Sequence, residues 1–181
     1  MVTCMLNFQF FERGMVMNKI VIYTSKTGFT KTYAQWIATE LGCQAKSLKE
    51  VDLGTLKDYD LIVYGGWVMG GMIMGLDKVK KAGVNNPLVF ATGMSAQCDA
   101  IRELILKQNE IDPERFFYLE GGYAPDKVGF VSRMMVKMVT RSVSKKKVKN
   151  EDELRMLETA TGIDRTDKKL IEPLLNEAKE V

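Results

Sequence analysis

The sequence predicts an α/β fold: a doubly wound, five-stranded parallel sheet with helices on both faces. Three observations predict it. Short β-branched and aromatic runs alternate along the chain with segments of helical periodicity. The first such run leads straight into a Ser/Thr/Gly loop and then a helix. At 181 residues and 46% hydrophobic content, the chain can bury one continuous core and is too apolar for disorder. Alternating strands and helices imply a parallel sheet covered on both sides. Right-handed crossovers leave few topologies, of which strand order 2-1-3-4-5 fits the length.

The elements follow in order. Residues 19–24 (KIVIYT) read as a buried first strand. Tyr33, Ala34, Ile37, Ala38 and Leu41 then recur at helical spacing before Gly42, a suitable helix stop. Residues 44–48 form a weak second strand, 59–64 (YDLIVY) a strong third, 87–91 (PLVFA) a fourth and 115–120 (RFFYLE) a fifth. Ile73, Leu76, Val79 and Lys80 predict one intervening helix. Ser95 is placed to cap another that buries Ala100, Ile101, Leu104 and Ile105.

The last third is less regular. Residues 128–143 are Met-rich and helical, 145–150 a basic linker, and 151–161 a short amphipathic helix before Gly162. Pro173 implies either a turn before a helix that starts near it or a kink. The opening residues 1–17 include Phe8, Phe10 and Phe11 but lack the charge pattern and cleavage site of a signal peptide. Met15 and Met17 immediately precede the first periodic strand, so 1–17 is expected to be a disordered or mis-assigned start and 18–181 the domain. No run approaches the ~20 apolar residues a membrane span needs.

Composition excludes several chemistries. The absence of His removes the usual general base near neutral pH, His-centred triads and His metal ligands. Cys4, Cys43 and Cys98 form no CxxC pair and are odd in number, so reduced cytoplasmic thiols are expected, without a metal site or disulfide framework. A formal charge of +3 is too small for a nucleic-acid binder without a clustered patch.

In open α/β sheets, ligands sit beyond the carboxyl ends of the strands, where the strand order reverses. The first loop, Thr24, Ser25, Lys26, Thr27, Gly28, Phe29 and Thr30, occupies that place. Hydroxyls of Thr24, Ser25, Thr27 and Thr30, backbone amides and a helix amino terminus can converge on a phosphate, and Gly28 lets the backbone approach it. The alternative is a polar strand-to-helix turn with nothing bound. After the third strand, Gly65, Gly66, Trp67, Val68, Met69, Gly70 and Gly71 form a glycine-rich loop in which Trp67 either stacks on a ligand or packs in the core.

Residues 21–30, followed by Ala34, resemble the FMN (flavin mononucleotide) signature of flavodoxins, departing from it at Gln35, where an aliphatic residue is usual. No Gly-Lys-Ser/Thr follows the glycine, so this is neither a P-loop nor a dinucleotide GxGxxG turn. The resemblance implies a flavodoxin-like fold, FMN as cofactor, and Gly66, Trp67, Val68, Met69, Gly70 and Gly71 against the isoalloxazine ring, with the Met69-Gly70 turn meeting flavin N5. It implies a third flavin loop at Thr92, Gly93 and Met94, continuing to Gln97. That loop lacks the aromatic and acidic residues many flavodoxins place there, which implies a ring more open to a reactant.

Gly121, Gly122 and Tyr123, with Arg133, Met134, Met135, Lys137 and Met138, resemble the flavodoxin-domain subgroup that includes bacterial FMN-dependent protoporphyrinogen dehydrogenase. The function implied is an FMN oxidoreductase moving electrons or hydride, with quinone or porphyrinogen as reactant; a flavodoxin-type electron carrier is the alternative. Flavin chemistry belongs mainly to the cofactor, so no catalytic side chain transfers. The implied partners are a redox partner and, as flavodoxin-like reductases often pair, a second copy.

In 128–143, Val128, Val131, Met135, Met138 and Ser142 follow one helical stripe, and Arg133, Lys137, Arg141 and Lys145 a second. Either the Met stripe packs on the sheet, or it docks on a partner or on the inner face of a membrane.

Overall fold

A computed structural model describes residues 17–149, 151–159 and 162–180. The expectation for residues 1–17 falls almost wholly on residues outside these. The described elements are β1 (Lys19–Thr24), α1 (Phe29–Leu41), β2 (Gln44–Ser47), β3 (Leu61–Met69), β4 (Met72–Ile73), α2 (Leu76–Lys81), β5 (Leu88–Gly93), α3 (Asp99–Asn109), β6 (Phe116–Glu120), β7 (Gly122–Tyr123), α4 (Phe130–Ser144), α5 (Glu151–Thr159), β8 (Ile163–Asp164) and α6 (Glu172–Glu180).

The main sheet runs β2-β1-β3-β5-β6, all parallel. Counting only these five strands, this is the predicted order 2-1-3-4-5; the short antiparallel β4 adds to β3. Because strand side chains alternate between faces, each strand feeds two cores. Ile20, Ile22, Tyr64 and Val89 pack with Leu76, Val79 and Ile105 on one side. Val21, Val63, Leu88 and Phe90 pack with Tyr33, Ala34, Ile37 and Leu174 on the other. Burial on both sides is why these strands read as unbroken apolar runs. Gly42, at φ +65°, closes α1 in the left-handed conformation.

Several expectations change. β3 continues past Tyr64 through Gly65 and Gly66 to Met69, then folds back through Gly70 and Gly71 into β4, so the expected loop is mostly strand. Gly65 and Gly66 serve packing there: an added Cβ would lie 2.0 Å from the Phe90 ring and 2.5 Å from Ile73 Cγ2, respectively. Ile73 consequently belongs to β4, and α2 begins at Leu76.

Ser95 does not cap α3; Cys98 holds that position, and the Ser95 carbonyl instead accepts a hydrogen bond from the Tyr118 hydroxyl at 3.0 Å. On α3, Ile105 is fully buried, but Ala100 is exposed and Leu104 is 47% exposed, because Leu104 borders a cavity and not the sheet.

The Met stripe of 128–143 does not pack on the sheet. α4 buries Thr140 and Val143, while Met134, Met135 and Met138 face outward. Pro173 stands at the second position of α6, so the turn-then-helix alternative holds. Among the described residues no helix is long and apolar enough to cross a membrane.

Candidate functional site

At the carboxyl ends of β1, β3, β5 and β6 lies a cavity of about 460 Å³. Lys26, Thr27 and Phe29 enter it from the β1–α1 loop, Trp67 to Gly71 from the β3–β4 hairpin, and Thr92 to Ser95 from the end of β5. Gly121, Gly122 and Tyr123 follow β6, Ile101 and Leu104 come from α3, and Val128, Met135 and Val136 form the roof. A wider hollow of about 900 Å³, lined by Met17, Lys19 and Cys43, opens at the opposite end of the sheet, where open α/β sheets do not bind ligands.

The first loop has an anion-binding build. Gly28, at φ +110°, is the residue before α1, and no side chain caps the helix, whose first turn carries no acid. The leading amides of α1 are therefore an uncompensated positive end. The Gly28 amide donates to Ser25 Oγ at 3.1 Å, bracing the turn. Thr27 lines the cavity, and Lys26 Nζ stands 5.5 Å from the centroid of the Trp67 ring. Trp67 thus faces the cavity and not the core.

The expected convergence of four hydroxyls is only partly realised. The Tyr64 hydroxyl donates to the Met74 carbonyl at 2.7 Å, so the Thr24 hydroxyl, 2.8 Å away, donates to Tyr64. Thr30 is 2% exposed, with its Oγ1 2.6 Å from that of Thr92. The cause is position: Thr24 ends a strand beside Tyr64, while Thr30 sits in the first turn of α1, facing β5. Of the other two, Ser25 braces the turn and Thr27 lines the cavity.

Gly70 and Gly71, at φ +58° and +86°, make the hairpin turn. Nothing lies within 4 Å of a Cβ added to Gly70, whereas one on Gly71 would come 2.1 Å from Gln108 Oε1. In the third loop Thr92 is buried, Met94 is 38% exposed, and Gly93 lets the Tyr118 hydroxyl pass where a Cβ would be 2.2 Å away. Burial, reinforced by Glu120, raises the Tyr118 hydroxyl well above its ordinary range, so it stays a neutral donor. Glu120 also pairs with Arg155 at 2.5 Å, tying α5 to the end of β6.

Several contributors were not legible as site residues. Lys127 Nζ would lie 3.8 Å from a Cβ on Gly28, which brings a cation to the first loop from a distant turn. Leu104 reads as a buried helix position and Val128 as part of the Met stripe, while Val136 carried no signal of its own. Gly121 to Tyr123 carried a signal, the glycine pair before an aromatic residue, but no spacing linked it to the first loop. The loop contributors are set by which strand ends lie side by side, and those of α3 and α4 by how these helices pack over them.

A family model described as the flavodoxin domain matches residues 20–150. The chain belongs to the flavodoxin domain family. FMN is the cofactor of that family. The residues present fit it: an uncapped helix end and a positive-φ glycine suit a phosphate, and the largely apolar remainder of the cavity suits a flat ring. No curated protein matches the chain.

Among solved structures, a flavodoxin from the domain Archaea is 20% identical over 53% of this chain and 77% of its own, with TM-score 0.41. Oxidised flavodoxin 2 from Bacillus cereus is 16% identical over 80% and 95%, with TM-score 0.42. The Flv1 flavodiiron core from Synechocystis sp. PCC6803 is 15% identical over 91% of this chain and 37% of its own, with TM-score 0.43. At these values the likeness carries no argument about activity.

Proposed function

We propose that this flavodoxin-domain protein is an FMN oxidoreductase that accepts electrons or hydride from a reduced organic donor of the quinol or porphyrinogen class. The FMN phosphate is assigned to Ser25, Lys26, Thr27, Gly28, Phe29 and the Thr30 amide, with Thr24 and the Thr30 hydroxyl bracing the loop. The ring is assigned to the space between Gly66, Trp67, Val68, Met69, Gly70 and Gly71 on one side and Thr92, Gly93 and Met94 on the other.

The observation that carries the reading is the open apolar rim: Met69, Met94 and Leu104 border the cavity at 56%, 38% and 47% exposure, respectively. A flat hydrophobic reactant could lie there, on the side where the third loop, Thr92 to Met94, sets no aromatic side chain against the ring. FMN supplies the redox chemistry when bound. The chain's own part is to seat the phosphate, hold the hairpin against the ring and exclude water with the roof. The similarity of residues 121–138 to the protoporphyrinogen dehydrogenase subgroup supports the same donor class. The proposed functional unit spans 18–181, and the proposed location is cytoplasmic, consistent with Cys43 and Cys98 as free thiols.

The second reading, a non-catalytic electron carrier, would rest on protein docking through an acidic surface at the cavity mouth; the segment 127–149, which supplies Val128, Met135 and Val136 to the cavity and carries eight bases and no acid, disfavours it. Purified protein is expected to be yellow and to release FMN on denaturation, and to reduce a soluble quinone analogue catalytically with a reduced dye as donor. FMN content with only stoichiometric electron exchange would establish the carrier; absence of FMN would overturn both readings.

A further inference from the structure

The basic residues of this chain are unevenly placed. Of 26 Lys and Arg, eight fall in residues 127–149, which contain no Asp or Glu, so the rest of the chain holds 18 bases against all 23 acids. An apparently near-neutral protein is thus an acidic body carrying one strongly cationic segment. α4 lies within that segment.

The same helix exposes a band of large apolar side chains. Phe130 is 72% exposed, Val131 71%, Met134 58% and Met138 67%. At 3.6 residues per turn this band lies opposite the buried Thr140 and Val143. The helix is therefore held to the protein on one side and turns its apolar band directly away from it. Arg133, Lys137 and Arg141, all exposed, run along one edge of the band, where long stems allow their charges to rise to a polar layer.

We propose that α4 is an in-plane docking helix for an anionic lipid bilayer. Phe130, Val131, Met134 and Met138 enter the boundary between headgroups and acyl chains, while Arg133, Lys137 and Arg141 lie among the headgroups. A polar helix face rich in Lys and Arg beside an apolar face is what such helices require, and each cation near an anionic surface adds attraction. Two copies meeting through this face would bring Arg133, Lys137 and Arg141 of each against an equally cationic segment, which disfavours self-association as its use. A nucleic acid would satisfy the charges but leave the apolar band in water.

Docking has a consequence at the cavity. Met135, 59% exposed at the border of the band, also lines the cavity roof, so a docked helix sets the cavity mouth at the lipid surface. This consequence rests on the proposed oxidoreductase reading, because it gives a lipid-soluble quinol a short path. The docking itself does not.

The test is sedimentation of the full FMN-loaded chain with sonicated vesicles, either pure phosphatidylcholine or an equal mixture with phosphatidylglycerol. Binding is expected to the mixed vesicles at low salt and not to the neutral ones. It should weaken at about 0.5 M salt, where screening shortens the reach of the charges to a few Å. Two variants separate the contributions: Arg133→Glu/Lys137→Glu/Arg141→Glu, and Phe130→Ser/Val131→Ser/Met134→Ser/Met138→Ser. Each should lose at least about tenfold in partition coefficient while retaining FMN absorbance.

Phe130→Trp is expected to show a blue-shifted emission component on mixed vesicles, reporting entry of the apolar band. Equal binding to both vesicle types, or binding unchanged by the four-serine variant, would overturn the proposal. A concentration-dependent dimer that buries the indole introduced by Phe130→Trp without lipid would reassign the face to self-association. Tighter binding to duplex DNA than to mixed vesicles, indifferent to the four serines, would reassign it to a polyanion. Loss of quinone turnover with vesicle binding intact would refute the oxidoreductase reading alone.

Discussion

Asn109, at the end of α3, holds the turn at Gly71: its Nδ2 donates to the Gly71 carbonyl at 2.7 Å, while its Oδ1 accepts from the Ile73 amide at 2.9 Å. A single buried amide, 7% exposed, thus ties down the turn and the returning strand β4 of the hairpin proposed to face the flavin ring. Asn109→Ala leaves a buried carbonyl and a buried amide without partners, each costing about 1–3 kcal/mol. The expected outcome is a loss of about 2–4 kcal/mol in urea unfolding, with faster hydrogen exchange at Ile73. Protection at Ile73 equal to that in the parent would show that the clamp is dispensable.

Gly70 isolates the backbone contribution of the same turn. At φ +58° with open space around its Cβ position, Gly70→Ala meets no clash and suffers only the left-handed penalty of about 1 kcal/mol or more. If the Met69-Gly70 peptide reorients as the flavin gains an electron, the first one-electron potential should move by about 40 mV or more. Spectroelectrochemistry giving identical potentials would remove this turn from redox tuning.

The two kinds of hydroxyl in the first loop should separate experimentally. Thr27→Val removes a group lining the cavity and is expected to weaken FMN binding by about 1–3 kcal/mol, read from quenching of flavin fluorescence. Thr30→Val breaks the buried pair with Thr92 and is expected to lower the melting temperature more than the affinity. The reverse pattern would place Thr30 at the phosphate.

Alkaline pH should destabilise the fold through its buried tyrosines. Burial pushes the Tyr33 and Tyr64 hydroxyls up from 10.0 to about 12, and Tyr118 rises as well. A raised folded-state value means the unfolded chain releases these protons first. The stabilisation is therefore complete below pH 10 and is lost as pH rises toward 12. Tyrosinate absorbance should show these three ionising together with unfolding. Independent ionisation near pH 10 in the folded chain would contradict their burial.

Periodicity and loop chemistry by themselves determined the five parallel strands, the α1 helix with its Gly42 stop and the Ser/Thr/Gly turn between β1 and α1, and chain length with crossover handedness favoured the strand order that the structure has. These are local or nearly local: a strand buried on both faces is written as a continuous apolar run, and a tight strand-to-helix turn as consecutive Ser, Thr and Gly. The tertiary structure decided what depends on neighbours distant in sequence. Gly65 and Gly66 look like loop residues until Phe90 and Ile73 occupy the space where their side chains would be. Thr30 looks like a phosphate ligand until Thr92, 62 residues later, meets its hydroxyl. The Met face of α4 fits core and surface equally well as a pattern, because hydrophobic spacing records which side chains share a face but not what that face meets. Only the packing of Thr140 and Val143 turned that face outward.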